Sequence, residues 1–142
     1  MTQEDKESIL KDLCARLPYD VKVCYEYDTS SYYYLNEISP ACREIMISAI
    51  IQDENRKYCA ECVLLEEIKP YLRSMSSMTA EEKKEYGKVC ELDTEILAKH
   101  PMNGEPFPAL YNSQDWLNKN HFDYRGLIKK GLALEAPKEM YI

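Results

Sequence analysis

Between Pro18 and Ser74 apolar and polar side chains alternate over several stretches, and this period of two constrains the chain more than any other feature. Val21, Val23, Tyr25 and Tyr27 interleave with Lys22, Cys24 and Glu26, the pattern of a strand with one face buried. Asp28 to Ser31 is a cluster of turn formers. Tyr32 to Ile38 is aromatic-rich and suits a pleated surface. Glu44 to Ile51 sets Ile45, Ile47, Ala49 and Ile51 on one face, Gln52 to Lys57 is polar enough to turn, and Tyr58 to Leu65 reads as a fourth strand. Short strands joined by short turns predict an antiparallel meander of four or five strands. The alternation fits an open sheet and a small barrel alike.

Helical signals bracket this region. Thr2 and Asp5 have the spacing of a capping box. Ile9, Leu10, Leu13, Cys14 and Leu17 then follow one helical face, with Glu4, Lys6, Glu7, Lys11 and Asp12 on the other. Pro18 stops that helix, because it has no N–H to donate. Ile68 to Leu72, with Pro70 inside it, reads as a short helical turn leaving the sheet, and Ser74 to Met78 as a loop. Thr79 and Glu82 form a second capping box before a long helix with a thin stripe of Tyr86, Val89, Cys90, Ile96 and Leu97. Residues 100–112 hold Pro101, Gly104, Pro106 and Pro108, an irregular loop. Ser113 can cap a short helix carrying Trp116 and Leu117 and ending at Asn120. Asp123 can cap another running to Lys130, with Gly131 after its end. Leu132, Leu134 and Ala136 alternate as a last strand. The reading is one α+β domain over residues 1–142: helix and sheet over 1–78, a helical part with its irregular loop over 79–142.

Charge and hydropathy narrow the function classes. The net charge is −7, from 18 basic and 25 acidic side chains. Residues 1–100 carry the whole acidic excess. Such a balance disfavours nucleic acid and anionic lipid. No apolar run approaches the roughly 20 residues of a membrane span. Met1 to Ser8 is polar and acidic and does not read as a signal peptide. The expectation is a cytoplasmic protein whose six cysteines, Cys14, Cys24, Cys42, Cys59, Cys62 and Cys90, are reduced thiols.

Few residues suggest chemistry. Cys59 and Cys62 form the single C-x-x-C, inside an expected strand where residues i and i+3 point to opposite faces, so no metal site is expected. His121, Phe122, Asp123, Tyr124 and Arg125 form the densest run of capable side chains. His121 beside a carboxylate could act as a general base, and Arg125 could hold an anion. A structural reading has Asp123 capping the next helix, His121 bonding a neighbouring carbonyl, Arg125 pairing with a nearby carboxylate, and Phe122 and Trp116 packing on the sheet. The chain has 12 Tyr against 2 Phe. Tyr25, Tyr27, Tyr32, Tyr33 and Tyr34 crowd one expected hairpin, and tyrosine is favoured in interfaces. Neither a glycine-rich phosphate loop, nor a G-x-S-x-G elbow, nor an H-E-x-x-H helix occurs. No cofactor is expected.

Three stretches together resemble a known group: LKDLCARLPY at 10–19, IKPYLRSMSSMT at 68–79, and the tail with WLN at 116–118, HFDYRGLI at 121–128 and GLALEAP at 131–137. They are similar to short uncharacterised proteins carried by phages, prophages and mobile elements of anaerobic gut bacteria. In that group the middle segment often reads Arg-Pro-Met, whereas this chain has Ser74. The resemblance implies a phage or mobile-element origin and brings no catalytic residues.

The function expected is an accessory protein that binds a host or phage protein without catalysis. Its contact residues would be Tyr25, Tyr27, Tyr32 and Tyr34 with His121, Asp123, Tyr124 and Arg125. One rival is a small hydrolase or metal-dependent enzyme built on His121 and Asp123. Another is a weak nucleic-acid binder using Lys129, Lys130 and Arg125.

Overall fold

The computed structural model describes residues 1–40, 47–53, 61–99 and 112–141. Helix α1 (Gln3–Arg16) begins at the expected capping box. The Asp5 amide donates to Thr2 Oγ1 at 3.1 Å and the Thr2 amide to Asp5 Oδ2 at 3.2 Å. Ile9 and Leu13 are fully buried and Leu10 and Leu17 lean on the same core. Two positions depart from the expected stripe. Cys14 is exposed, and Asp12, assigned to the polar face, is completely buried with Arg16. The chain leaves α1 through a 3-10 turn, Leu17–Tyr19, with Pro18 inside it.

Among the described residues six strands follow the spatial order β4-β3-β2-β1-β5-β6: β1 (Lys22–Tyr25), β2 (Asp28–Pro40), β3 (Ile47–Asp53), β4 (Glu61–Leu64), β5 (Ile68–Leu72) and β6 (Leu134–Glu135). All neighbours are antiparallel except β5 and β6, so the sheet is mixed. Among the described strands β4 and β6 do not pair with each other, and the order is that of an open sheet.

The hairpin turn lies at Glu26 and Tyr27, not at Asp28 to Ser31. Tyr25 pairs with Asp28 and Val23 with Tyr33, and an irregularity in register between them absorbs the surplus length of β2. The expected turn residues Asp28 to Ser31 therefore extend a strand. Ile68 to Leu72 is also a strand rather than a helical turn, and the 3-10 turn precedes it at Leu65–Glu67. Ile68, Pro70 and Leu72 point into the core while Lys69 and Tyr71 do not. Pro70 is tolerated because β6 pairs only with Tyr71 and Leu72, leaving the flank of β5 at Pro70 outside that ladder.

One core lies between α1 and a single face of the sheet. Ile9 and Leu13 meet Val21, Val23, Tyr33, Leu35, Ile51, Val63, Ile68 and Leu72, joined from the tail by Leu127, Leu132 and Ala133. Burial of each large side chain contributes about 1.5–3 kcal/mol.

Helix α2 (Ala80–Lys99) starts at the Thr79–Glu82 box, and α3 (Asn112–Lys119) packs on it. Trp116 and Phe122 do not pack on the sheet as expected. They form a second cluster with Met78, Leu117, Tyr86 and Tyr124. The helix expected over Asp123 to Lys130 is broken into two turns at Gly126, whose φ is 72°. Gly131 takes the left-handed conformation expected after the segment's end, φ 74°, with the Gly131 amide donating to the Ile128 carbonyl at 3.0 Å and the Leu132 amide to that of Leu127 at 2.9 Å. The expected loop at 100–112 falls, apart from Asn112, outside the described residues, as do Cys42, Cys59, His100 and the first residues of two expected strands.

Candidate functional site

The tyrosines divide between the two faces of the sheet. Tyr33 is buried, and its hydroxyl donates to Asp28 Oδ2 at 2.5 Å. Tyr25 packs against the main core and meets Tyr33 edge-on, with ring centroids 5.8 Å apart. These two belong to the interior side. Tyr27 sits at the hairpin turn and is 71% exposed.

Pleating sends Lys22, Cys24, Tyr32, Tyr34, Lys69 and Tyr71 to the face away from α1. Lys22 Nζ lies 5.8 Å from the Tyr32 ring centroid and 5.5 Å from that of Tyr34. Such geometry favours a cation over an aromatic face. Tyr32 meets Tyr71 edge-on at 5.4 Å and 89°. Burial, the Cys24 thiol and Tyr32 push the Tyr71 phenol up to about 12, so it stays a neutral donor. The sequence reading missed Lys22 and Tyr71 in this group. Tyr71 could have been found by extending the alternation through Pro70.

His121 occupies the end of α3. The Phe122 amide donates to the Leu117 carbonyl at 2.9 Å, and the His121 amide to that of Asn118 at 3.1 Å. These are the two bonds of a Schellman helix end, with His121 at the left-handed position, φ 63°. Its ring is buried and stacks on Tyr141, centroids 3.7 Å apart at 16°. The expected bond from His121 to a carbonyl is not made through Nδ1, which is buried without a hydrogen-bond partner. Burial, then the nearby Arg16 and Arg73 guanidiniums, push the imidazole down to about 4, so it is neutral at pH 7.

Asp123 caps a turn instead of a helix. Its Oδ1 accepts from the Leu127 amide and its Oδ2 from the Ile128 amide, each at 2.9 Å. Its own amide donates to the Arg73 carbonyl, and the Arg73 amide donates to the His121 carbonyl, both at 2.8 Å. Residues 121–123 are thus stitched to the end of β5. Tyr124 joins the second cluster, and its hydroxyl accepts from Arg125 Nη2 at 3.1 Å.

Beneath these residues lies an ion pair that the sequence reading did not single out. Arg16 donates through Nε and Nη2 to Asp12 at 2.8 and 3.0 Å, and through Nη2 to the Phe122 carbonyl at 2.6 Å. Both side chains are fully buried. The signal was available: Asp12 and Arg16 are four apart on α1, flanking the apolar stripe.

The arrangement separates the groups that a hydrolase would need together. Both Asp123 oxygens face backbone amides, and the His121 ring faces Tyr141. Among the described residues, no group of three His, Cys, Asp or Glu side chains is placed to hold a metal ion. Cys62 is an exposed free thiol in β4, while its C-x-x-C companion Cys59 lies outside the described residues. Lys129 and Lys130 are exposed. No described helix is long and apolar enough to cross a membrane. No protein-family model matches the chain, and neither a curated protein nor a solved structure matches it.

Proposed function

We propose that the chain is a cytoplasmic accessory protein of a phage or mobile element that acts by binding a host or phage protein, without catalysing a reaction. The observation carrying this reading is the placement of Tyr27 at the exposed hairpin turn and of Tyr32, Tyr34 and Tyr71 on the sheet face away from α1. Tyrosine offers a partner large apolar area and a polar tip at low entropic cost. The tail resemblance supports the origin. His121 and Asp123 act in this reading as supports of the C-terminal corner, and Tyr25 as part of the core.

The test is affinity capture from the bacterium that carries the gene, using the wild-type chain and Y27A/Y32A/Y34A side by side. A protein retained by the wild type and lost by the triple variant supports the proposal, with circular dichroism showing that the variant is folded. Identical captures by both, or no specific capture, would falsify it.

A further inference from the structure

Asp12 is one carboxylate facing two guanidiniums. Arg16 binds both of its oxygens, and Arg125 Nε stands 3.4 Å from Oδ1 without making a hydrogen bond. Asp12 and Arg16 are wholly buried, and the Arg125 side chain is 30% exposed. A buried charge needs a partner. Asp123, buried two residues before Arg125, directs its oxygens at the Leu127 and Ile128 amides. The three-residue cluster therefore keeps one positive charge in excess.

Beside it, between α1 and the turn at 125–130, lies a cavity of about 270 Å³. Arg125, Lys11 and Lys130 line it with positive charge, and Glu4 and Glu7 with negative charge. Ser8 adds a hydroxyl and Leu127 an apolar surface. Arg125 Nε faces Asp12 and Nη2 donates to the Tyr124 hydroxyl, so its remaining N–H groups are the donors a carboxylate would meet. Glu4 and Glu7 raise the cost of a multiply charged anion such as phosphate and offer a place for a cation. We propose that this cavity binds a small zwitterion of the free amino acid kind. Its carboxylate lies against Arg125, Lys11 and Lys130, and its ammonium lies toward Glu4 and Glu7. This ligand site is independent of the tyrosine face.

The test is a titration of the intact, ¹⁵N-labelled chain at constant ionic strength. The probes are L-alanine, its two separated halves propionate and ethylammonium, and inorganic phosphate. The expected result is saturable shifts with L-alanine at the amides of Ser8, Lys11, Leu127 and Lys130. Each half alone binds at least about tenfold more weakly, the loss expected for one charge-assisted contact. E7Q and K130Q, both on exposed side chains, each weaken L-alanine about tenfold, while K129Q, outside the cavity, does not. R125Q does the same provided its spectrum is that of the folded chain. Shifts that never saturate, phosphate or propionate binding as tightly as L-alanine, or affinity unmoved by E7Q and K130Q would each overturn the proposal.

Discussion

The Tyr141 hydroxyl accepts from the Lys22 amide at 2.9 Å and donates to the Tyr71 carbonyl at 2.8 Å. Val23 pairs with Pro70, so Lys22 and Tyr71 are the next pair in that register. A side chain from the end of the chain thus stands where β1 and β5 would otherwise add a rung to their ladder. Burial pushes the Tyr141 phenol well above the ordinary range, which keeps it a donor at any pH the fold meets. Y141F removes the hydroxyl and keeps the ring on His121. The expected loss is about 1–3 kcal/mol, the cost of stranding partly buried backbone groups. Urea denaturation measures it, and faster exchange of the Lys22 amide places it. An unchanged midpoint would mean that water serves these groups equally well.

His121 makes stability depend on acidity. Its ordinary value of 6.5 falls to about 4 in the folded chain. The unfolded chain takes up the proton first as pH drops, so this contribution is complete above pH 6.5. It is lost progressively down to about pH 4. The shift sets a ceiling of about 3 kcal/mol on that loss. H121Q removes the titration while keeping a polar side chain, so the wild type should lose more stability than H121Q between pH 6.5 and 4. A proton NMR titration reads the same quantity directly. Titration of the His121 ring near 6.5 would contradict the burial and the stack on Tyr141.

The left-handed backbone at His121 gives a prediction of opposite sense to ordinary helix preference. A residue other than glycine at φ 63° carries strain of roughly 1–2 kcal/mol. H121A and H121G both lose the ring and its stack, but only glycine escapes the strain. H121G should therefore be more stable than H121A by about 1 kcal/mol, measured by thermal or urea unfolding. Equal stabilities would show that the Schellman bonds do not hold this conformation.

Much of the fold was legible because its signals were local. The capping boxes at Thr2 and Thr79 need only residues three apart, and the stretch Val21 to Tyr25 shows its pleat directly. Longer-range terms decided the rest. Pro70 looked like a breaker, and it is a strand residue only because β6 stops short of it. Asp28 to Ser31 looked like a turn, and pairing across to β1 overrides that propensity. Asp12 looked like a solvated residue, since its burial depends on Arg16 reaching the Phe122 carbonyl, 106 positions away. In the site, the composition revealed an excess of tyrosine. Which tyrosines point outward depended on the register between Val23 and Tyr25.

Arg73 joins the end of β5 to the first turn of α2. Its Nη1 and Nη2 donate to the two oxygens of Glu82, each at 2.9 Å. Its guanidinium carbon lies 4.2 Å from the Phe122 ring centroid, and Trp116 stacks on Phe122 at 5.8 Å and 9°. Glu82 also takes the Thr79 amide at 2.8 Å as the return bond of the capping box. The Arg73 bond, with the Thr79 bonds adding to it, holds the Glu82 carboxyl below the usual range. Its stabilisation is present above the unfolded value of 4.5 and is lost as pH falls through the folded one. Both side chains are about one-fifth exposed, so solvent screens the pair. E82Q keeps an acceptor for the Thr79 amide while losing the paired charge, and R73M keeps contact with Phe122 while losing the donors. A double-mutant cycle on these two should give a coupling of about 1 kcal/mol at pH 7, the scale of a well-formed bidentate pair. The coupling should fade as Glu82 protonates, whereas a coupling that persists in acid would assign the contact to packing on Phe122 and not to charge.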